Sequence, residues 1–418
     1  MTAEVRIKVL PSIAEIGAAD WDACANPGDA HRTNGGDAAP HHHAASEVDP
    51  SKSQDHPYNP FISYAFLSAL EESRSVAARV GWQPQHLAVE GPDGTVRAVV
   101  PAYLKSHSRG EYVFDAGWAD AYERAGGSYY PKLQVSVPFT PATGRKLLVR
   151  PGPEADATRA AAAAGLVALC RQREASSVHA TFLPEDEWQF LAEQGFLQRT
   201  DRQFHWHNEG YATFDDFLGA LASRKRKVIR RERREALESD ISLHCLTGSD
   251  LTEDIWDHFF RFYMETGSRK WGRPYLTREF YSLAGERMAD KILLVMAKRA
   301  GRWIAGAINF IGSDTLFGRH WGAIEHHPFL HFEVCYYQAI DYAIRHKLAW
   351  VEAGAQGSHK LAHGYMPKTT HSAHYIADPG LRRAIADYLR RERAHVEADV
   401  EELEGYAPFR KGEQLEVE

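Results

Sequence analysis

Cysteine is scarce in this 418-residue chain, and Cys24, Cys170, Cys245 and Cys335 stand singly and far apart. Without a Cys-x-x-Cys pair, a thiolate metal cage and a dithiol redox site are excluded, and a disulfide framework does not suit a chain of this length. The four are read as small buried hydrophobes. Long apolar runs are missing as well: none approaches the roughly 18 residues that a membrane-spanning helix needs. Met1 to Ile13 carries Glu4, Arg6 and Lys8 and lacks an apolar stretch ahead of a small-residue cleavage site, so a secretory leader is not expected. The expected location is the cytoplasm. Net positive charge is absent too. A formal charge of −7 argues against nucleic-acid affinity of the molecule as a whole, though not of a local patch.

What is present is a repeat. Two stretches about 200 residues apart follow one script of strand, turn, strand, aromatic tag and proline. The first runs Gln85–Glu90, a Gly-Pro-Asp-Gly turn, Val96–Leu104, Tyr112–Phe114, Gly117-Trp118-Ala119 and Tyr130-Pro131-Lys132-Leu133-Gln134-Val135. The second runs Ile292–Met296, Arg299-Ala300-Gly301, Trp303–Ile311, Thr315-Leu316-Phe317, His320-Trp321-Gly322-Ala323 and His327-Pro328-Phe329. A repeat of this length is a whole domain rather than a solenoid unit. The expected fold is mixed α/β, with two tandem units, each a mixed sheet flanked by helices: residue 1 to about 208, and about 209 to the end. Residues 25 to 57, rich in Gly, Asp, Ala, Ser, Pro and His with almost no large apolar side chain, form an insertion without secondary structure.

Apolar spacing predicts helices over about 61–73, 157–174, 185–194, 254–266 and 333–346, and strands over about 177–182, 197–206 and 349–353. Phe214–Leu221 runs as a helix into a strongly basic one, the two covering about 215–238, and a last helix covers about 380–404.

Several segments resemble the FemAB-like group of the GNAT acyltransferase superfamily: Asn59–Leu67, Gly110–Tyr122, Tyr129–Gln134, the basic helix at 224 to 234, and Pro328–Glu333 through Glu352–Ala362. The resemblance covers most of the chain outside residues 25 to 57. It implies a tandem pair of GNAT-like domains, as in the Fem transferases that add amino acids to peptidoglycan precursors from aminoacyl-tRNA. It further implies an N-acyltransferase with no tightly bound cofactor. Acyl-CoA or aminoacyl-tRNA would be the co-substrate, and a small-molecule or peptidoglycan-precursor amine the acceptor. The superfamily's pyrophosphate loop, Gln or Arg-x-x-Gly-x-Gly/Ala, has its nearest counterpart in Arg319-His320-Trp321-Gly322-Ala323-Ile324, which ends in isoleucine.

Acyl transfer to an amine needs a deprotonated acceptor, aligned reactants and a stabilised oxyanion. It needs no covalent nucleophile, and the sequence has no Gly-x-Ser-x-Gly elbow. The densest polar cluster is Glu352 to Tyr365, whose glycines allow backbone to approach a ligand closely. There Glu352 or His359 would take the acceptor proton, Tyr365 would protonate the leaving group, and Gln356 and Lys360 would hold substrate. Lys132 and Gln134 are read as ligand contacts, with Tyr122 among the polar aromatics beside them. Glu333 either steadies a helix end or lines the cleft. Arg224, Arg226, Lys227, Arg230 and Arg231 would meet phosphates of a CoA, a tRNA or a lipid headgroup. Two other readings compete: a noncatalytic nucleic-acid-binding protein using the basic helix, and a metal-dependent hydrolase. His359 and His363 stand four apart as zinc ligands do, but no glutamate follows the first, and no metal site is assigned.

Overall fold

In a computed structural model of the protein, the described residues are 5–28, 57–271, 274–354 and 357–410. Most of the expected insertion, and Gln356, lie outside them. Among them the strands are β1 (Arg6–Leu10), β2 (Trp82–Pro84), β3 (His86–Glu90), β4 (Val96–Val100), β5 (Ala102–Lys105), β6 (Lys132–Val135), β7 (Leu148–Val149), β8 (Ser177–Leu183), β9 (Leu197–His207), β10 (Ile241–Leu246), β11 (Ile292–Arg299), β12 (Arg302–Ile311), β13 (Thr315–Ala323), β14 (Trp350–Glu352) and β15 (Met366–Ile376).

The two hairpins that announce the repeat form for local reasons. β11 and β12 are almost wholly buried runs of Ile, Leu, Val, Met and Ala, suited to a sheet covered on both faces. They are joined by Ala300-Gly301, both at positive φ, the two-residue turn whose twist matches paired strands. In the first hairpin Pro101 cannot give a ladder hydrogen bond, and there the long strand breaks into β4 and β5. β3 and β4 join a four-stranded sheet ordered β1-β3-β4-β7, while β2 and β5 end an eleven-stranded sheet ordered β10-β11-β12-β13-β14-β9-β15-β8-β6-β5-β2.

That order makes the chain one fold used twice. β1, β3, β4 with β5, β6 and β8 of the first half correspond in pairing and direction to β10, β11, β12, β13 and β14 of the second. In both halves the last two of these are parallel, β6 with β8 and β13 with β14. A parallel pair needs a crossover, supplied by the helix Ala155–Gln172 and by the segment Leu330–Arg345. The final strands are exchanged. β9, made by the first half, pairs antiparallel with β14, and β15, made by the second, pairs antiparallel with β8; the two exchanged strands pair with each other at the centre.

Three expectations change. Trp118 lies on the helix Ala116–Arg124 and Trp321 on β13, so their likeness in sequence is not a structural equivalence; the counterpart of β13 is β6, and the helix is inserted ahead of it. The helix expected to run unbroken into the basic one stops at Leu221, whose backbone bridges to Phe409 while Ala222 N–H bonds Pro408 O. Cys24 and Cys170 are buried as expected, but Cys245 is exposed. Among the described residues no helix is long and apolar enough to cross a membrane.

Aromatic packing also ties the halves. Phe61 meets Phe310 and Phe317 at ring separations of 5.1 Å, and Phe66 meets Phe310 at 5.3 Å and Phe280 at 5.6 Å. Because β15 fills the gap between β8 and β9, a fragment ending near residue 208 leaves both with an open hydrogen-bonding edge. Such a fragment is expected to aggregate and to show no cooperative unfolding by circular dichroism; a soluble, cooperatively melting fragment would refute the exchange.

Candidate active site

β13 and β14 run side by side from Thr315 and Trp350 to Phe317 and Glu352, and then part. β13 continues to Ala323 and, among the described residues, no strand lies beyond Glu352 on that edge. The helix Glu253–Trp271 lies so close over this extension that a Cβ on Gly322 would stand 2.1 Å from the Phe262 carbonyl oxygen. Only glycine permits that approach.

Two adjoining cavities lie along this extension of β13. One, of about 480 Å³, is bounded by Trp321, the loop Ala323–His327 and Phe329–Phe332. The other, of about 190 Å³, is bounded by Tyr112, Tyr263, Tyr275, Arg319 and His320. Thr266, Trp321 and His331 line both, so the two cavities share a wall, and together they are called the channel. The His331 ring stands edge-on to Trp321 at 5.3 Å and to Tyr336 at 5.4 Å. Burial holds His320 down at about 3, with the Arg319 charge adding to the effect, so its ring is neutral at pH 7.

Arg319 joins the halves at the bottom of the channel. It donates to the Phe139 carbonyl oxygen and to Tyr112, both from the first half. Tyr112 is held there by the residues around it. Lys132 donates to Glu111 at 2.6 Å, Asp115 at 2.5 Å and Ser108 at 2.8 Å, and Lys105 lies 3.4 Å from Glu111. With its three N–H groups committed in the interior, Lys132 anchors the loop Gly110–Asp115 rather than lining a cleft, contrary to the sequence reading. Gln134 is likewise enclosed, bonded to Thr181. Tyr122 packs beside Trp118 and Leu197 on the first-half side. β6 is separated from β14 by β8, β15 and β9, so these residues do not join the Glu352–Tyr365 segment.

That segment divides. Glu352 is buried and faces a separate cavity of about 300 Å³ between the halves, shared with Asn59, Thr143, Arg145 and Asp314. Burial pushes its carboxyl up to about 8 against the lowering influence of the Thr143 N–H and Arg319, and one of its oxygens has no partner. Lys360 is buried, donates to the Gly354 carbonyl oxygen at 2.9 Å, and is lowered by burial to about 8. His359 is exposed and bonds the Tyr336 hydroxyl at 2.9 Å. The Tyr365 hydroxyl is buried and has no hydrogen-bond partner among the described residues. His363 bonds the Tyr337 hydroxyl at 2.7 Å, and Tyr337 donates in turn to Glu232 of the basic helix. The two histidines are thus taken by tyrosines, and among the described residues no group of three or more His, Cys, Asp and Glu could hold a metal ion.

The basic helix Ser223–Ala236 is fastened to the channel wall. Glu333, buried, accepts from Arg233 Nε and Nη2 at 3.0 Å, so it steadies this helix rather than lining the cleft. Glu333 and Tyr337 belong to a single π-helical turn that directly follows Leu330–Phe332, the segment bounding the larger cavity. Of the cations, Arg230 pairs with Asp215 and Arg231 with Glu235. Arg224, Lys225, Arg226 and Lys227 have no carboxylate partner among the described residues, and they crowd the N-terminal turn, which has no side-chain cap.

Arg319, Trp321 and His331 were not expected as site residues. Arg319 and Trp321 lie on β13 past its last residue paired with β14, and His331 lies in the helical segment that follows.

Comparison with known proteins gives the family. The chain belongs to the FemAB-like family, described as peptidoglycan biosynthesis/recognition, whose profile matches residues 12–411. Among solved structures, FemX is 12% identical, with 78% of this chain and 94% of that one covered and a TM-score of 0.48. A tandem GNAT protein from the clavulanic acid biosynthesis pathway is 14% identical over 90% of this chain and 99% of that one, TM-score 0.44. L-PGS from Bacillus licheniformis is 8% identical over 81% and 99%, TM-score 0.47. No curated protein matches significantly.

Glu352 supplies a pH signature. Its folded pKa of about 8 lies above the ordinary 4.5, so between these values the folded state binds more protons than the unfolded one. Stability attributable to this group is present below pH 4.5 and falls as pH rises toward 8. Glu352→Gln is expected to flatten that fall in denaturation midpoints taken from about pH 5 to 8; an unchanged slope would show that Glu352 ionises freely.

Proposed function

We propose that the protein is an N-acyltransferase that passes an aminoacyl or acyl group to an amine acceptor in the channel opened where β13 leaves β14. The observation that carries this reading is a pair of neighbouring cavities that share Trp321 and His331 in their walls. One compartment can hold each reactant, and the reacting atoms meet at the junction.

The chemistry follows from position. His331 takes the proton from the acceptor amine as its nitrogen forms a bond to the acyl carbonyl carbon; the ester C–O bond to the tRNA ribose (or the C–S bond to CoA) then breaks, and the His331 proton passes to the departing oxygen or sulfur. The carbonyl oxygen lies along β13, whose edge past Phe317 has no strand partner among the described residues; Ala323 N–H is already given to Thr266 Oγ1, which leaves the main-chain N–H groups between Phe317 and Ala323 to meet the developing charge. The aromatic walls exclude water and hold the reactants aligned. Glu352, which with His359 is one of the two bases the sequence suggests, lies in the neighbouring cavity and takes no part in the transfer.

Aminoacyl-tRNA fits as donor better than acyl-CoA. The loop ahead of Leu330, where a pyrophosphate would lie, carries Glu325, which gathers Arg299, Arg302 and His327 onto itself. Arg224, Arg226 and Lys227 at the start of the basic helix, which make no ion pair among the described residues, suit a nucleic-acid backbone instead. A peptidoglycan precursor is the acceptor the family description favours.

His331→Ala is expected to slow single-turnover transfer from charged tRNA about 100-fold or more, in the range of an absent general base. Replacing Arg224, Arg226 and Lys227 together by Gln should raise the donor KM, leave kcat nearly intact, and reduce the salt slope of donor binding by about one for each cation that meets a phosphate. Undiminished transfer by His331→Ala, or a triple variant equal to wild type at low salt, would count against the assignment.

A further inference from the structure

We infer that the smaller compartment, beside Arg319, receives a carboxylate carried by the amine acceptor. Arg319 brings a permanent positive charge to this compartment, and among the described residues no carboxylate lies within ion-pair distance of it. Its neighbours do not neutralise it. His320 is uncharged at pH 7, and Tyr112, Tyr263 and Tyr275 bring only hydroxyls and rings. The acid that bears on it, Glu352, is largely protonated there because of its own burial. An enclosed guanidinium without a counter-charge is costly, and a ligand anion relieves that cost.

The donors match a planar partner. Arg319 has five N–H groups; its described acceptors are the Phe139 carbonyl oxygen and Tyr112, which leaves N–H groups for the compartment. Tyr112, accepting from Arg319, keeps its own O–H to donate. One fork and one hydroxyl satisfy a carboxylate of charge −1. A phosphate would call for more cations than this single one, and the unpartnered cations of the basic helix are those suited to phosphate. With about 190 Å³, the compartment takes a small headgroup and its first few carbons.

The inference rests on the transfer reading only in assigning the carboxylate to the acceptor. Binding is therefore measured on the full chain without any donor, by calorimetry, using L-alanine, L-lysine and L-phenylalanine, the carboxamide of each, and inorganic phosphate. At least one acid should bind at least tenfold more tightly than its amide. Arg319→Gln should erase that difference, Arg319→Lys should retain part of it, and Tyr112→Phe should reduce it severalfold. Acids and amides binding alike, no acid binding, or phosphate displacing the acid with equal strength would overturn the assignment. Because the acid-to-amide ratio is read on the unaltered protein, it stands even if Arg319→Gln does not fold. Absence of the preference in a protein that still transfers acyl groups would refute this inference alone, whereas a protein that keeps the preference but transfers nothing would refute the proposed function alone.

Discussion

The antiparallel pairing of β9 with β15 is the interaction on which the rest of the structure depends. Each strand is made by one half and laid against the fifth strand of the other, so neither sheet is complete without the exchange. Backbone hydrogen bonding therefore fixes the halves far more rigidly than an ordinary interdomain interface of side chains. The consequence is felt in the channel. Arg319 of the second half can rely on the Phe139 carbonyl oxygen and Tyr112 of the first because the sheet between them does not hinge.

Within that frame the first half uses its buried charges for positioning. Burial alone would raise the Asp115 carboxyl, but Lys132 and His179 outweigh it and hold the group below its ordinary range. Burial lowers Lys105 to about 7 despite Glu111 beside it. Such a network gives little net stability, since desolvation consumes most of the attraction. What it does provide is a single geometry for Gly110–Asp115, with Tyr112 at a positive φ of 59° and aimed across the interface. The strain of that backbone is tolerated because Glu111 and Asp115, on either side of it, are both bound to Lys132.

The sequence made the duplication legible through its hairpins, because β3 with β4 and β11 with β12 are local and their apolar patterns and turn residues are read along the chain. It could not reveal the exchange of β9 and β15, which pairs residues such as Gln198 and Ala373 across a wide gap and leaves no local trace. The aromatic tags misled for a related reason: a tryptophan looks the same on a helix at 118 as on a strand at 321. The sequence reads Lys132 as a ligand contact and leaves Glu333 open between a helix-end and a cleft role, because a charged residue beside a strand or helix end allows either, yet each is paired with a residue from a distant segment. Arg319 was passed over for the converse reason, that its counter-charge is missing, and only a structure reveals a missing partner.

The basic helix shows how the parts are coupled. Cations in a first turn oppose the helix dipole, at about 0.3–1 kcal/mol each, and here four crowd one uncapped N-terminus. The fold tolerates this by anchoring the other end of the helix, with Arg233 on buried Glu333 and Glu232 on Tyr337. Those anchors occupy the π turn that continues from Leu330–Phe332, whose side chains bound the larger cavity. A polyanion neutralising the first turn would stabilise the helix, and the helix bears directly on the wall of the channel. Charge at the first turn of the basic helix and the packing of the cavity wall are thus linked through one five-residue turn.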